Sequence, residues 1–404
     1  MLKGLLIGMT AVAVVSDSML LPFYPQFFAG RFGIESPLHV GLYLAAACLT
    51  VMLALPAWAR LARRIDPLVL LIYTQVAAGV LCITCYTLRD VLAFWVVSMA
   101  MLVFKASYLL IYPYVMRLEH RDSHAGTIGV LSVVVHFGGI LGALLGGVAL
   151  DHGEARDIFL VMAVSDVIQV AVCLFLVMRG VHRPTADTAA ETPASTIRPS
   201  GHGIIRLGLV MLMFYFSAFL IRPFFVLHWE TVSGLVNASM SALVFAIPGA
   251  VALLALVWNA HARRQGGRPG ERLAVLLVLG AAGLLLQASP LAPVVLIGRV
   301  LFGWALFQVT VRLEVLIFAS GTPDSYASDY SKAHIFQNLG VLGASFAAGS
   351  TVSAFGLASP FFMAALGFVA TALLFPLLLQ PVLTPRQADM PSPAAPYRAR
   401  GLSQ

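Results

Sequence analysis

Charged residues are scarce in this chain. Asp, Glu, Lys and Arg make up 11% of its 404 residues, whereas 60% are hydrophobic. A soluble domain has about 25% charged residues, so the composition excludes an ordinary soluble protein. Apolar runs such as VLAFWVVSMAMLVF in 91–104 approach the ~20 residues that a helix needs to cross a bilayer. The ~10-residue alternating segments of a membrane β-barrel are lacking. These observations predict an all-α protein that crosses the membrane many times.

Cysteines are also few, and the motifs of common enzymes are missing. The four cysteines all lie in apolar segments, which argues against a disulfide framework. We find no H-E-x-x-H zinc motif, no G-x-S-x-G nucleophile motif and no phosphate-binding loop. His120 and His124 have metal-ligand spacing, but charged neighbours favour a solvated turn. We therefore expect no metal, no cofactor and no enzyme activity, although a membrane-embedded enzyme stays a remote alternative.

Twelve apolar segments are long enough to span a bilayer. The first contains Lys3 before an apolar run, like a signal peptide, but a related segment later in the chain argues against cleavage. Numbered spans 1 to 12, the segments are 3–28, 37–60, 68–88, 91–117, 126–150, 157–179, 204–228, 236–261, 272–289, 291–316, 331–354 and 359–382.

The basic residues are distributed unevenly between the two sides of these spans. Eighteen of the 25 Lys and Arg lie on the side of the chain ends, four lie within spans, and only Arg31, Arg89 and Arg156 lie on the other side. The positive-inside rule then places both termini in the cytoplasm. We expect a monomer in the plasma (inner) membrane. The net charge of +7 is explained without a nucleic-acid partner.

The chain consists of two related halves. A polar segment at 180–203 predicts a cytoplasmic linker, and residues 384–404 predict a disordered cytoplasmic tail. The linker separates six-helix bundles at 1–179 and 204–383. WARLARR at 58–64 corresponds to WNAHARR at 258–264, and GILGA at 139–143 corresponds to GVLGA at 340–344. These offsets of about 200 residues predict parallel repeats with a substrate site between them near the midplane.

Two motifs give a family resemblance over residues 1–383. Span 1 contains Pro22-Phe-Tyr-Pro25, and span 5 contains GGILGALLGG, with Gly138, Gly142, Gly146 and Gly147 and with Ala143 where the related pattern has proline. The chain resembles the major facilitator superfamily of secondary transporters, and most of all its twelve-span drug:proton antiporter branch. In that branch the span 5 motif is associated with export.

The resemblance also covers the loop between spans 2 and 3, with departures from the family pattern. Arg63 and Arg64 are kept and are expected to help in gating, but Ala59 replaces the usual acidic residue, and Leu55 and Ala62 replace glycines. At the end of span 10, Arg312 and Glu314 are expected to form a charge cluster at the inner gate. Pro22 and Pro25 are expected to bend span 1.

Four charged residues fall near the middle of spans. Facing lipid, Asp17, Lys105, Asp166 and Arg299 would together cost on the order of 10 kcal/mol, so they must face protein or a water-filled cavity. The resemblance places spans 1, 4, 7 and 10 around the cavity. It therefore implies that Asp17, Lys105, Arg222 and Arg299 line it, whereas Asp166 in span 6 lies further out.

Each of these groups has two interpretations. Asp17 is either the main proton carrier or one half of a static ion pair with Lys105. Asp166 and Gln169 form either a buried structural network or a second proton site. Lys105 and Arg299 either favour an anionic substrate or make structural pairs. Arg222 either contacts substrate or extends to the membrane surface.

Aromatic residues recur at matching places in spans 1 and 7. Tyr24 is expected to line the cavity, and the phenylalanines around it suggest an amphiphilic or aromatic substrate. His136 in span 5 is either a core residue or a titratable site. The paired phenylalanines are Phe23, Phe27 and Phe28 in span 1 and Phe214, Phe216, Phe224 and Phe225 in span 7.

Together these features predict a transporter driven by an ion gradient. We expect a proton-coupled exporter of small organic molecules, such as drug-like, amphiphilic or siderophore-type compounds, that works by alternating access. Import of a small organic or anionic solute on the same fold is the alternative, and sodium coupling is open. The expected partners are the substrate, protons and membrane lipid.

Overall fold

The computed structural model describes residues 2–111, 114, 124–180, 202–264, 273–319 and 326–383. In this part of the chain every span contains a helix, which confirms the predicted all-α class. Spans 1 and 7 each contain two helices. In chain order, the α-helices are Leu2–Ser18, Tyr24–Phe32, Pro37–Leu61, Pro67–Thr87, Val91–Lys105, His124–His152, Ile158–Met178, His202–Leu220, Phe225–Ser233, Ala238–Arg264, Leu273–Gln287, Ala292–Ala319, Tyr326–Phe355 and Ser359–Leu383.

The helices differ in how apolar they are. Among the described residues, nine helical segments are long and apolar enough to cross a membrane, and the shorter apolar helices Phe137–His152 and Leu273–Gln287 belong to spans 5 and 9. The helix of span 11, Tyr326–Phe355, belongs to neither group. It is the longest described helix and packs against spans 2 and 7.

Spans 1 and 7 are broken at the same place, as the repeat predicts. In span 1 the first helix ends at Ser18, a 3₁₀ turn covers Leu21–Phe23, and a new helix begins at Tyr24. Pro25 fits its first turn because the backbone N–H that proline lacks would have no acceptor within the helix at that position. Span 7 breaks after Leu220 and begins again at Phe225, 201 residues after Tyr24. The interruption of span 1 therefore lies at Pro22 and Pro25, where a bend was expected.

The second helices of spans 1 and 7 also end alike. Gly33 and Gly234 are their C-caps, with φ of +68° and +69°. Glycine adopts this left-handed conformation without the steric cost that a Cβ would add. These two glycines are again 201 residues apart, so the weak sequence repeat corresponds to a repeat in backbone structure.

Short loops lie on the side away from the chain ends, which we call the distal face. In one of them, Asp90 accepts a hydrogen bond from the backbone N–H of Ala93 at 2.7 Å and so caps span 4. The Arg31 guanidinium donates to the carbonyl of Leu88 at 2.6 Å and joins the first loop to the second. The loops of this face are 33–36, 88–90, 153–157, 234–237, 288–291 and 356–358.

The two bundles meet along spans 2 and 11 and along spans 5 and 8. A Cβ added to Gly41 would lie 2.8 Å from Gly349 Cα across the first contact. A Cβ added to Gly147 would lie 2.6 Å from the carbonyl oxygen of Ala238 across the second. Small residues let membrane helices approach this closely. All four residues lie in the distal halves of their helices, so the bundles are in contact near the distal face.

The other glycines of the span 5 motif face span 1. A Cβ on Gly138 would lie 2.8 Å from Val14 Cγ1, and one on Gly142 or Gly146 would overlap a backbone carbonyl of span 1. Gly139, on another side of the helix, has nothing within 4 Å of such a Cβ. Span 5 thus packs closely against span 1 at these glycines.

Candidate functional site

Lys105 lies between two carboxylates in the middle of the N-terminal bundle. Its ammonium Nζ donates a hydrogen bond to Asp166 Oδ1 at 2.7 Å and lies 2.9 Å from Asp17 Oδ1. The contact with Asp17 is an ion pair without hydrogen-bond geometry, since Oδ1 has no hydrogen-bond partner. The side chains of Lys105 and Asp166 are 5% and 1% exposed, whereas that of Asp17 is 25% exposed.

Asp166 contacts Lys105 more closely than Asp17 does. The resemblance placed it further out than the residues that line the cavity, and it is the more buried of the two acids. Gln169 donates to the same carboxylate oxygen at 3.4 Å, and the Cys82 thiol lies 3.5 Å from the other one. The proposed network of Asp166 and Gln169 therefore exists. It includes the ion pair that was expected for Asp17 and Lys105 alone.

Polar residues of spans 3 and 4 form a second buried group in this bundle. The hydroxyls of Thr74 and Ser107 are 2.7 Å apart, and Gln75 donates to Ser107 at 3.1 Å. The side-chain oxygens of Gln75 and Gln169 are buried without a hydrogen-bond partner. We did not single out Thr74, Gln75 or Ser107 from the sequence. They could have been found in the sequence as amide and hydroxyl side chains inside strongly apolar spans.

Arg299 occupies a different environment in the C-terminal bundle. It is buried, and its guanidinium donates to the carbonyls of Val244 and Phe245 at 3.3 and 2.7 Å. Pro248 lies four residues after Val244 and has no N–H for that carbonyl, so Arg299 supplies the missing donor. The guanidinium carbon also lies 3.7 Å from the Phe225 ring centroid. These contacts correspond to the structural interpretation of Arg299.

Arg222 is the cation that lies within the break in span 7. Its side chain is half-buried, and its guanidinium carbon lies 4.5 Å from the ring centroid of Phe219. The side chain thus turns back along span 7 toward the middle of the helix. Extension to the distal membrane surface was one of the two interpretations from the sequence. The side chain lies in the opposite direction.

The aromatic residues of spans 1 and 7 mostly form the cores of the two bundles. Phe27 packs against Phe94 at 5.2 Å between ring centroids, and Phe214 packs against Phe368 at 5.4 Å. Tyr24 is partly exposed and lies 5.2 Å from the Tyr43 ring. The aromatic pattern therefore gives little support to an aromatic substrate. The buried members are Phe23, Phe27, Phe28, Phe214, Phe224 and Phe225.

The expected gating residues lie nearer the side of the chain ends. Arg63 and Arg64 are exposed in the turn that follows the span 2 helix. Arg312 and Glu314 are partly buried in the span 10 helix. His120 lies outside the described residues, as do the side chains of His124 and His136, the linker between 181 and 201, and the tail. Among the groups that the structure does describe, no cluster of three metal-ligating side chains occurs.

Two carboxylates that the sequence analysis did not select join the bundles at the distal face. Asp151 of span 5 accepts hydrogen bonds from the backbone N–H groups of Ala238 and Ser239, both at 2.9 Å, and so caps span 8. Glu230 of span 7 accepts from Gln26 of span 1 at 3.3 Å. Both contacts cross from one bundle to the other. In the sequence, each is only an acidic residue near the end of a span. Such residues are too common to indicate a contact between the bundles.

Comparison of the sequence with known protein families identifies the family of this all-helical fold. The sequence pattern of the Major Facilitator Superfamily matches residues 6–312. The chain belongs to the Major Facilitator Superfamily. Members of this superfamily are transporters, so the protein is a multi-pass membrane transporter and not an enzyme. No curated protein matches the chain.

Solved structures of other superfamily members share the whole fold. The nucleoside transporter NupG is 12% identical, with a TM-score of 0.72, 94% of this chain and 99% of that chain covered. A bacterial homologue of the human lysosomal transporter Spinster, inward-facing and unoccupied, is 15% identical, with a TM-score of 0.71 and coverage of 95% and 98%. The human organic anion transporter MFSD10 is 18% identical, with a TM-score of 0.65 and coverage of 92% and 98%. At these identities the similarity establishes the fold alone.

Proposed function

We propose that this protein is a proton-coupled secondary transporter that exports small organic molecules by alternating access. The observation that carries the proposal is the cluster in which Asp17 and Asp166 share Lys105. The proposed partners are the substrate, protons and lipid, with the protein acting as a monomer in the plasma (inner) membrane and both termini in the cytoplasm.

The charges of this cluster do not balance. Two carboxylates and one ammonium carry a net charge of −1 when all are ionised, and an unbalanced charge is costly in a low-dielectric interior. Binding one proton makes the cluster neutral. Proton coupling needs a site that gains and loses a proton as its surroundings change. This cluster has that property, because one proton on either acid makes it neutral.

The two acids are suited to different tasks. Asp166 is almost fully buried and holds Lys105 through a hydrogen bond, so it acts as the fixed partner. Asp17 is 25% exposed and contacts Lys105 without hydrogen-bond geometry, so we assign it the exchange of protons with water between the bundles. Protonation of Asp17 would leave a neutral Lys105–Asp166 pair behind.

The direction of transport is proposed from span 5 and from the charge bias. The span 5 glycines, typical of exporters in the resemblance, pack directly against the span 1 backbone that carries Asp17. We call the contacts of span 2 with span 11 and of span 5 with span 8 the seam between the bundles. Because span 5 belongs to the seam, a movement of span 1 is linked to it. The charge bias makes the distal face the outer one, and the bundles are in contact there.

The test is substrate-driven proton movement in proteoliposomes, with a panel of drug-like and siderophore-type compounds under an imposed pH gradient. Asp17→Asn keeps the side-chain shape but cannot ionise, so we expect it to abolish pH-driven accumulation while exchange of substrate continues. Glu35→Gln at an exposed position is the matched control and should behave like the wild type.

Two results would contradict the proposal. If Asp17→Asn still moves protons with substrate at the wild-type ratio, Asp17 is structural and Asp166 becomes the residue to test. If substrate and protons move in the same direction across the wild-type protein, the protein is an importer. A sodium gradient in place of the pH gradient distinguishes the coupling ion.

A further inference from the structure

The cations within the described membrane helices differ in how their charge is compensated. Lys105 meets two carboxylates. Arg299 donates to two backbone carbonyls and to the Gln287 side chain, the last at 3.3 Å. Arg222 has neither arrangement. Among the described residues, none accepts a hydrogen bond from its guanidinium, and none places a carboxylate within 4.0 Å of it.

The position of Arg222 in the helix explains why its side chain is available. The four residues 221–224 form the turn between the two helices of span 7, which ends at Pro223 and Phe224 before the helix begins again. The Arg222 backbone N–H bonds back to the Phe219 carbonyl at 3.1 Å. The side chain therefore projects from a break in the helix.

The guanidinium points toward the seam between the bundles. It lies over Phe219, which is one turn nearer the middle of span 7. The helix that follows the break, Phe225–Ser233, contacts the 3₁₀ turn Leu21–Phe23 of span 1. Because span 1 belongs to the N-terminal bundle, the break that carries Arg222 lies beside the contact between the two bundles. An arginine that extended to the distal surface would lie in the other direction.

The Arg222 guanidinium therefore lacks an acceptor among the described residues. A guanidinium carries five N–H donors, and one aromatic face offers only about 0.5–2 kcal/mol of compensation. We propose that Arg222 binds the carboxylate of a small organic anion in the seam between the bundles. A carboxylate fits the planar fork of arginine and bonds it through two oxygens.

This inference rests on the proposed transport function and names its substrate class. The binding step needs no proton gradient, so the two proposals fail separately. Loss of coupling in Asp17→Asn concerns the proton, whereas loss of acid binding in an Arg222 variant concerns the ligand.

The experiment compares acids with their own neutral amides on the purified full-length protein. Benzoate, 1-naphthoate and octanoate are paired with benzamide, 1-naphthamide and octanamide, and binding is measured from ligand-induced shifts of the unfolding temperature and by calorimetry. We expect at least one acid to bind more tightly than its amide. In Arg222→Gln the affinity for that acid should fall about tenfold or more, since a charged hydrogen-bond partner is lost.

Two variants make the result specific. Arg222→Lys keeps the charge but not the fork, so its affinity should lie between those of the wild type and Arg222→Gln. Arg179→Gln removes a cation that also lies over a ring, 4.9 Å from the Phe175 centroid, but at the exposed end of span 6, and it should bind the acid like the wild type.

The proposal is overturned if no acid of the panel binds the wild type more tightly than its amide. It is also overturned if Arg222→Gln binds the preferred acid as well as the wild type does. The unfolding temperature of each variant without ligand shows whether it is folded, and Arg222→Lys provides the comparison if Arg222→Gln is not.

Discussion

At the scale of single residues, Lys105 decides the charge balance of the N-terminal bundle. With the lysine present, the two acids have a shared partner at 2.7 and 2.9 Å. Without it, two carboxylates would face each other in a buried site. Removal of one partner from a buried ion pair is far more harmful than replacement of all partners by neutral groups.

We expect Lys105→Met to lower the free energy of unfolding by about 3–5 kcal/mol, the range for breaking a buried pair. Adding Asp166→Asn to that variant should restore part of the loss, because a single acid remains and can be protonated. The measurement is the unfolding temperature in detergent together with the monodisperse fraction. If the double variant is less stable than Lys105→Met, the acids do not depend on the lysine for compensation.

At the scale of elements, span 5 is the helix on which two interfaces converge. Gly138, Gly142 and Gly146 face span 1, whereas Gly147 faces span 8 of the other bundle. A rigid helix that contacts both partners can transmit a shift of one to the other. The break in span 1 lies beside this contact, between Ser18 and Tyr24.

We expect Gly142→Leu to abolish transport while the protein still inserts into the membrane. The new side chain would overlap the Val15 carbonyl and contact Ser18, which forces spans 1 and 5 apart. Gly139→Leu is the matched control, since its Cβ meets open space. Transport and membrane abundance are compared in the same vesicles. Normal transport by Gly142→Leu would mean that the close contact is incidental.

The cap that Asp151 places on span 8 is a contact between elements of different bundles. We expect Asp151→Ala to weaken the distal closure, since two backbone donors lose their acceptor. Spin labels at Glu154 and Val236, in a background without the native cysteines, should then show a longer distance.

Asp90→Ala serves as the control for that measurement. Asp90 also caps a helix, at 2.7 Å from the N–H of Ala93, but within one bundle. Its removal should leave the distance between the labels unchanged. An equal distance in the Asp151→Ala protein would show that the cap does not hold the bundles together.

At the scale of the whole molecule, the orientation in the membrane follows from charge and from the even number of spans. We expect a cysteine at Thr192 to react with a membrane-impermeant reagent only from the cytoplasm. A cysteine at Val236, which is 88% exposed in a distal loop, should react only from outside. Labelling of intact cells and of inverted vesicles measures both. Labelling at Thr192 from outside would reverse the proposed topology.

The sequence by itself determined the features that depend on local composition. Apolar length fixed the helices, Pro22 and Pro25 marked the break in span 1, and the offset of about 200 residues predicted the parallel repeat. Each of these features depends on the properties of the residue types themselves and not on which distant residues they contact.

The tertiary structure decided which distant side chains meet. It placed Asp166 on Lys105, directed Arg299 to the carbonyl that Pro248 leaves open, and joined Asp151 to span 8. The sequence could not predict these contacts, because helices that are apolar on all sides give no indication of which face turns inward. A rotation of one helix about its axis changes the partners of every buried charge without changing its hydropathy.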